Sequence, residues 1–272
     1  MASDFTYDPV TAIDEASATG QTAEIFADIR RTMGIPLVTS IWRGLAGMGE
    51  SLSQVWALTK PIYASGLPAH ALERVIAQAP LPRPEPLAPT QLACVGLGEP
   101  DLQDIRTVLA AYNRSNGMNL VALAALITPP APDNAISALP TAAPSWPPLR
   151  PLLPREAIDA DTWTMVRHVN TFGAPSIDAG VATLWRHLAH WPGLLAIVYS
   201  AFAPLQSRGA IAAASAQVVA LALEEGARMA SLRPAEPKIP RQALETITGY
   251  VNSPTQVGRM VIMGHALANW LA

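Results

Sequence analysis

The run Ile41-Trp42-Arg43-Gly44-Leu45-Ala46 returns later in the chain as Leu184-Trp185-Arg186-His187-Leu188-Ala189. The match continues without a gap through Leu52 and Leu195, Val55 and Val198, Pro61 and Pro204, Gly66 and Gly209. The interval is far too long for a solenoid, whose unit is roughly 20–50 residues. It predicts two tandem copies of one helical unit, facing each other about a pseudo-twofold axis as an intramolecular pseudo-dimer. Such an arrangement leaves one cleft between the copies. There, positions equivalent by repeat are free to carry different chemistry.

The periodicity along the chain is helical throughout. Ile25, Phe26 and Ile29 fall on one face of a segment whose other face is charged, and Gly34-Ile35-Pro36 stops it, a glycine followed by a helix-blocking proline. Further helices are predicted over 51–65, 69–78, 90–95, 101–112 and 120–127, with the amide-rich run Asn113 to Asn119 breaking the last two apart. The second copy reads as helices over 161–172, 182–205, 211–229, 241–250 and 257–271. Gly173-Ala174-Pro175 echoes the first stop, and Tyr250-Val251-Asn252 stands where Tyr112-Asn113-Arg114 stands. No strand-like alternation runs far enough for a sheet, so the expected fold is all-α. Residues 1–128 form the first copy and 155–272 the second. The proline-dense stretch 129–154 links them, since proline both fixes φ and removes a donor.

Composition narrows the function. Only 14% of residues are charged and 50% are hydrophobic, so much helix surface is expected to be buried against other helices or a second subunit, and a homodimer is compatible with this. No uninterrupted apolar stretch reaches the roughly 18 residues of a spanning helix, which argues against a membrane protein. A net charge of −3 without a basic run argues against nucleic acid as a partner. The single Cys94 excludes an internal disulfide and a cysteine-based zinc site. The N-terminal residues 1–14 carry acids and no apolar core, unlike a secretory leader, and a cytoplasmic protein is expected.

Chemistry is expected in the loops, where the copies differ. Asp178 lies in extra residues, Ser176-Ile177-Asp178-Ala179, between the second Gly-x-Pro turn and the second repeat helix. It reads either as an N-terminal cap or as a catalytic acid. Asn113 reads either as an amide that orients water or as part of a helix break, with Asn116 and Asn119 as local caps. Arg43 and Arg186, at one repeat position, suit an architectural ion pair more than carboxylate binding. His187 and His190 are spaced as two metal ligands could be, but no third ligand matches them, so no metal is assigned. Neither a Gly-x-Ser-x-Gly elbow nor a glycine-rich phosphate loop is present.

Several runs together resemble the group I 2-haloacid dehalogenases. These are Asp28-Ile29-Arg30, Gly34-Ile35-Pro36, Trp42-Arg43, Pro61-Ile62-Tyr63-Ala64-Ser65-Gly66, Tyr112-Asn113-Arg114-Ser115-Asn116 and Leu184-Trp185-Arg186-His187-Leu188-Ala189-His190-Trp191-Pro192. The resemblance implies an all-α pseudo-dimer around one active site. It implies hydrolysis of 2-halocarboxylic acids to 2-hydroxy acids with inversion at C2, using water and no cofactor. Asp178 matches the family's water-activating aspartate and Asn113 its helper asparagine, with Asn116 as the fallback. Ile35 and Leu37 would line the substrate pocket where the family carries bulkier groups, and Tyr112 and Asn116 would complete it. The alternative is a non-catalytic small-molecule binder descended from the same family.

Overall fold

The computed structural model describes residues 12–132, 137–139 and 142–272. Residues 1–11, on which the reading of the N-terminus rests, lie outside these, as do 133–136 and 140–141 of the linker. Among the described residues there are helices and no strands. In order they are α1 (Gly20–Met33), α2 (Ser40–Ala46), α3 (Ser51–Ala64), α4 (Leu67–Gln78), α5 (Pro89–Cys94), α6 (Glu99–Ile127), α7 (Ala160–Asn170), α8 (Thr183–His187), α9 (Pro192–Ser207), α10 (Ala210–Met229), α11 (Arg241–Asn252) and α12 (Arg259–Trp270). The expected all-α class is what the chain adopts.

The two Gly-x-Pro turns end their helices by one device. Gly34 takes φ 61° after α1 and Gly173 takes φ 67° after α7, a left-handed conformation that a side chain disfavours. Arginines from distant helices then satisfy the carbonyls left open at each end. Arg114 donates from Nε to Met33 O and Gly34 O at 3.0 and 3.1 Å. Arg259 donates to Asn170 O and Phe172 O at 2.7 and 3.3 Å. A Cβ on Gly173 would lie 2.8 Å from Arg259 Cβ, so the turn also needs glycine for space.

The expected break at 113–119 does not occur. α6 runs unbroken for 29 residues. Asparagine, serine and glycine disfavour a helix because they favour other local bonds or cost backbone entropy. Here tertiary contacts outweigh that. Gly117 admits Leu72, whose Cδ1 would be 2.4 Å from a Cβ placed there. Asn119 is fully buried, and it is no cap. Its Oδ1 accepts from Trp42 Nε1 at 3.1 Å and from Tyr63 Oη at 2.8 Å, while its Nδ2 donates to Thr39 Oγ1 at 2.8 Å. The expected helix over 182–205 does break, into α8, a 3₁₀ turn at Leu188–His190, and α9. Pro192 is the cause, since the residue before a proline avoids the helical region, and Trp191 adopts φ −129°, ψ 76°.

Two apolar cores form, and α6 threads both. Its second half, Met118 to Leu126, packs with Ile29, Trp42 and Ile62 but also with Val218 and Ala222 of α10 and Ile247 of α11. Its first half, Leu102 to Tyr112, packs with Val169, Trp185 and Leu195. Neither core is therefore confined to residues 1–128 or to 155–272. By length and composition the stretch Ala210–Leu232 could cross a bilayer. In this fold α10 lies against α6, α12, α9 and α4, with Ala214, Val218 and Ala222 fully buried.

Candidate active site

A cavity of about 440 Å³ opens where the turn after α1, the middle of α6, α8 and the linker meet. The size suits a small ligand, for which pockets of roughly 300–1,000 Å³ are usual. Val38 and Thr183, just before α2 and at the start of α8, stand on two of its sides. Pro36, Leu37 and Leu149 give it apolar wall, and Arg30, Arg43 and Arg150 bring three guanidinium groups to it.

Tyr112 and His187 both line this cavity. His187 is almost fully buried, and its Nε2 lies 2.7 Å from Arg150 O. A carbonyl only accepts, so Nε2 carries the proton and Nδ1 presents its lone pair. That lone pair lies 3.4 Å from Tyr112 Oη, and the rings meet edge to face at 5.7 Å. Burial pushes the His187 pKa down to about 4, only partly opposed by the Arg150 carbonyl, so the imidazole is neutral at pH 7.

The linker forms the roof because α8 and the 3₁₀ turn after it hold its carbonyls. Besides His187 on Arg150 O, Arg186 donates to Leu153 O and His190 Nε2 to Pro151 O, both at 2.9 Å. Arg150 is fixed in turn by Asp104 at 2.9 Å and lies over the Trp191 ring at 4.9 Å. The residues weighed from sequence as two metal ligands and an architectural arginine thus share one task, pinning an extended, proline-rich segment that has no regular hydrogen bonding of its own.

On the opposite side, the segment before α1 reaches the cavity with two acids. Glu15 pairs with Arg30 through Oε1 and accepts from Val38 N–H through Oε2 at 2.8 Å. Asp14 lies 3.5 Å from Arg43. Nothing in the sequence singled these acids out, because an acidic pair before a helix reads as ordinary N-terminal charge.

Of the residues expected to form the site, Leu37 and Tyr112 line this cavity. Ile35 does not. It is 4% exposed and packed in the first core, since the turn that puts Leu37 outward turns Ile35 inward. Asn116 is half-buried on α6 and lines neither cavity described here. Asn113 follows Tyr112 directly, but one residue along a helix is a turn of roughly 100°, and its side chain faces another cavity, beside Arg114 and His265. There its Oδ1 has no hydrogen-bond partner and abuts Gly264, where a Cβ would be 2.1 Å away.

Asp178 sits neither at a helix N-terminus nor in the cavity. It occupies a turn several residues ahead of α8, its side chain is 84% exposed, and it pairs with Arg167 at 3.1 Å. The polar side chain that organises this turn is instead the fully buried Asn170, whose amide donates to Ala179 O and Gly180 O and accepts from Ala182 N–H. The structure therefore does not bring Asp178 and Asn113 together.

The fold and cavity define a class, an all-α protein in which α1, α2, α6 and α8 border a small-molecule-sized cavity. Three solved structures share that fold. A D-2-haloacid dehalogenase mutant with D-2-CPA matches with TM-score 0.71 and 16% identity over 96% of this chain and 95% of that one. A second D-2-haloacid dehalogenase mutant gives TM-score 0.72 and 16% identity over 96% and 95%. A D-2-haloacid dehalogenase with L-LA gives 0.70 and 17% over 96% of each chain. No family model matches the chain, and no curated protein matches it in sequence. The chain accordingly has the D-2-haloacid dehalogenase fold over 96% of its length, at an identity that speaks for the fold alone.

Proposed function

We propose that the chain binds a short 2-halocarboxylic acid in the cavity floored by Tyr112 and His187 and hydrolyses it to the 2-hydroxy acid. The observation that carries this is the lining, three guanidinium groups beside the apolar wall of Pro36, Leu37 and Leu149, in a fold shared with D-2-haloacid dehalogenases. Cations suit the substrate carboxylate. A dry wall suits the C2 substituent and halide departure. Water attacks C2 opposite the halogen. The new C–O bond forms as the carbon–halogen bond breaks, halide leaves with the bonding pair, and a base takes the water's proton.

Two groups compete for the role of base. Asp178 serves only if the 176–179 turn leaves Arg167 and swings inward, and Asn113 orients the water only if it also turns away from Gly264. His187 already faces the cavity, but its pKa of about 4 makes it a weak base, acting through a Nδ1 now set against Tyr112. Halide release from both enantiomers of 2-chloropropionate decides the matter. Activity in wild type that vanishes in Asp178→Asn assigns the base to Asp178, and full activity in that variant removes it. No halide from wild type removes catalysis altogether. The second reading, a carboxylate-binding protein without turnover, is favoured by the outward, ion-paired placement of Asp178, and it requires binding of 2-chloropropionate with no chloride produced.

A further inference from the structure

We infer that Arg30, Arg43 and the Val38 N–H form the carboxylate subsite of this cavity, and that the chain's own Glu15 occupies it as an internal competitor. The inference deepens the function proposed above and rests on the cavity being the ligand site. The geometry is that of a bound carboxylate. Glu15 gives one oxygen to the Arg30 guanidinium and the other to Val38 N–H at 2.8 Å. The two donors come from different parts of the fold, the last turn of α1 and the turn before α2, and they converge on the cavity wall. Asp14 lies beside Arg43, and the Ile13 N–H donates to Arg43 O at 3.1 Å, which sets the register of the segment.

What holds the segment is mostly polar. No residue from 12 to 19 is fully buried, and its only helical piece is one 3₁₀ turn at Glu15–Ser17. A strap held by ion pairs and single hydrogen bonds is displaced at little cost by a group that makes the same bonds, whereas one held by apolar burial would not be. Charge points the same way. Among the described lining residues Asp14 and Glu15 are the carboxylates that face the guanidinium groups of Arg30, Arg43 and Arg150, and Arg150 also pairs with Asp104 and Asp101 outside the cavity. The fitting ligand is a short monocarboxylate, whose single charge replaces that of Glu15 while its acyl chain lies against Pro36, Leu37 and Leu149.

Propionate has no leaving group and reports binding alone. Calorimetric titration of wild type and Glu15→Gln with propionate should show binding at least tenfold tighter in the variant. Adding Arg30→Gln to Glu15→Gln should abolish that gain. In wild type, saturating propionate should speed amide hydrogen exchange across 13–18 and slow it across 36–43, a readout that needs no variant. Equal affinity in wild type and Glu15→Gln, or unchanged exchange across 13–18 on binding, overturns the competitor while leaving the cavity as the ligand site. No binding to either protein overturns the subsite and the proposed function together.

Discussion

Asn119 is the most exacting single position in the fold, and replacing it with leucine tests why α6 survives its own sequence. The amide is fully buried and makes three side-chain bonds, two as acceptor and one as donor. Leucine has a similar volume, so the change removes hydrogen bonds without opening a large void. It leaves the Trp42 indole N–H and the Tyr63 hydroxyl unsatisfied where no water reaches, and it costs Thr39 one partner. A buried group left unpaired costs about 1–3 kcal/mol. The sum is on the order of 3–6 kcal/mol, reduced by about 0.5 kcal/mol because leucine is the better helix former, which leaves about 3–5 kcal/mol. At roughly 2–4 °C per kcal/mol for a chain of this size, the melting temperature should fall by roughly 6–20 °C, as read by circular dichroism at 222 nm. Adding Tyr63→Phe removes one of the orphans and should recover about 1–3 kcal/mol of the loss. A melting temperature within a degree or two of wild type would refute the claim that buried hydrogen bonding holds this helix continuous.

Other perturbations follow from the same contacts. Gly264→Ala places a methyl against Asn113 Oδ1 and should cost about 1–3 kcal/mol in urea unfolding, with Asn113→Ala in the same chain restoring most of it. His187 and His265 both have pKa values pushed by burial from 6.5 to about 4. Above pH 6.5 each is neutral folded and unfolded and contributes no pH dependence. Between 6.5 and 4 the unfolded chain takes up protons the folded chain refuses, so stability should fall as pH falls, by on the order of 3 kcal/mol for His187 alone, and His187→Gln should flatten part of that slope in denaturant titrations. Arg74→Ala removes the closer guanidinium from the buried carboxylate of Glu225, at 2.6 Å in the native fold, and leaves the longer Arg228 pair at 3.6 Å, so it should destabilise by about 1–3 kcal/mol, more than Glu225→Gln does.

The sequence was most legible where a local rule and the tertiary fold agree. Gly34 and Gly173 mark helix ends because left-handed backbone selects glycine, and the structure ends α1 and α7 there. Trp42 and Trp185 are both fully buried, as the apolar girth of their helices implies. It was illegible where distant residues decide. Nothing near Asn119 in sequence says that Trp42, Tyr63 and Thr39 will converge on it, so an amide-rich run reads as a break. The same blindness affects the site. Leu37 and Tyr112 were found because they adjoin a turn and a helix already marked out, while Glu15 and Arg30 form a site element only through contacts that no spacing rule encodes. Asp178 reads as a cap or a catalytic acid because its distance to α8 depends on where that helix starts, and α8 starts only at Thr183.

Continuity of α6 also constrains the chemistry more tightly than any single contact. A broken helix would let the stretch after Tyr112 rotate freely, and Tyr112 and Asn113 could then both face one cavity. In an unbroken helix anchored in two cores, adjacent side chains point roughly 100° apart, and neither core can turn without the other. Bringing Asn113 into the cavity that Tyr112 lines would drag Leu102 to Leu109 out of one core or Met118 to Leu126 out of the other, at about 1.5–3 kcal/mol for each large apolar side chain exposed. The turn at 176–179 costs far less to move, since Ser176, Ile177 and Asp178 are exposed. If halide release is found and is lost in Asp178→Asn, the moving part is therefore the acid and not the amide, and Asn113→Ala should leave kcat within a fewfold of wild type.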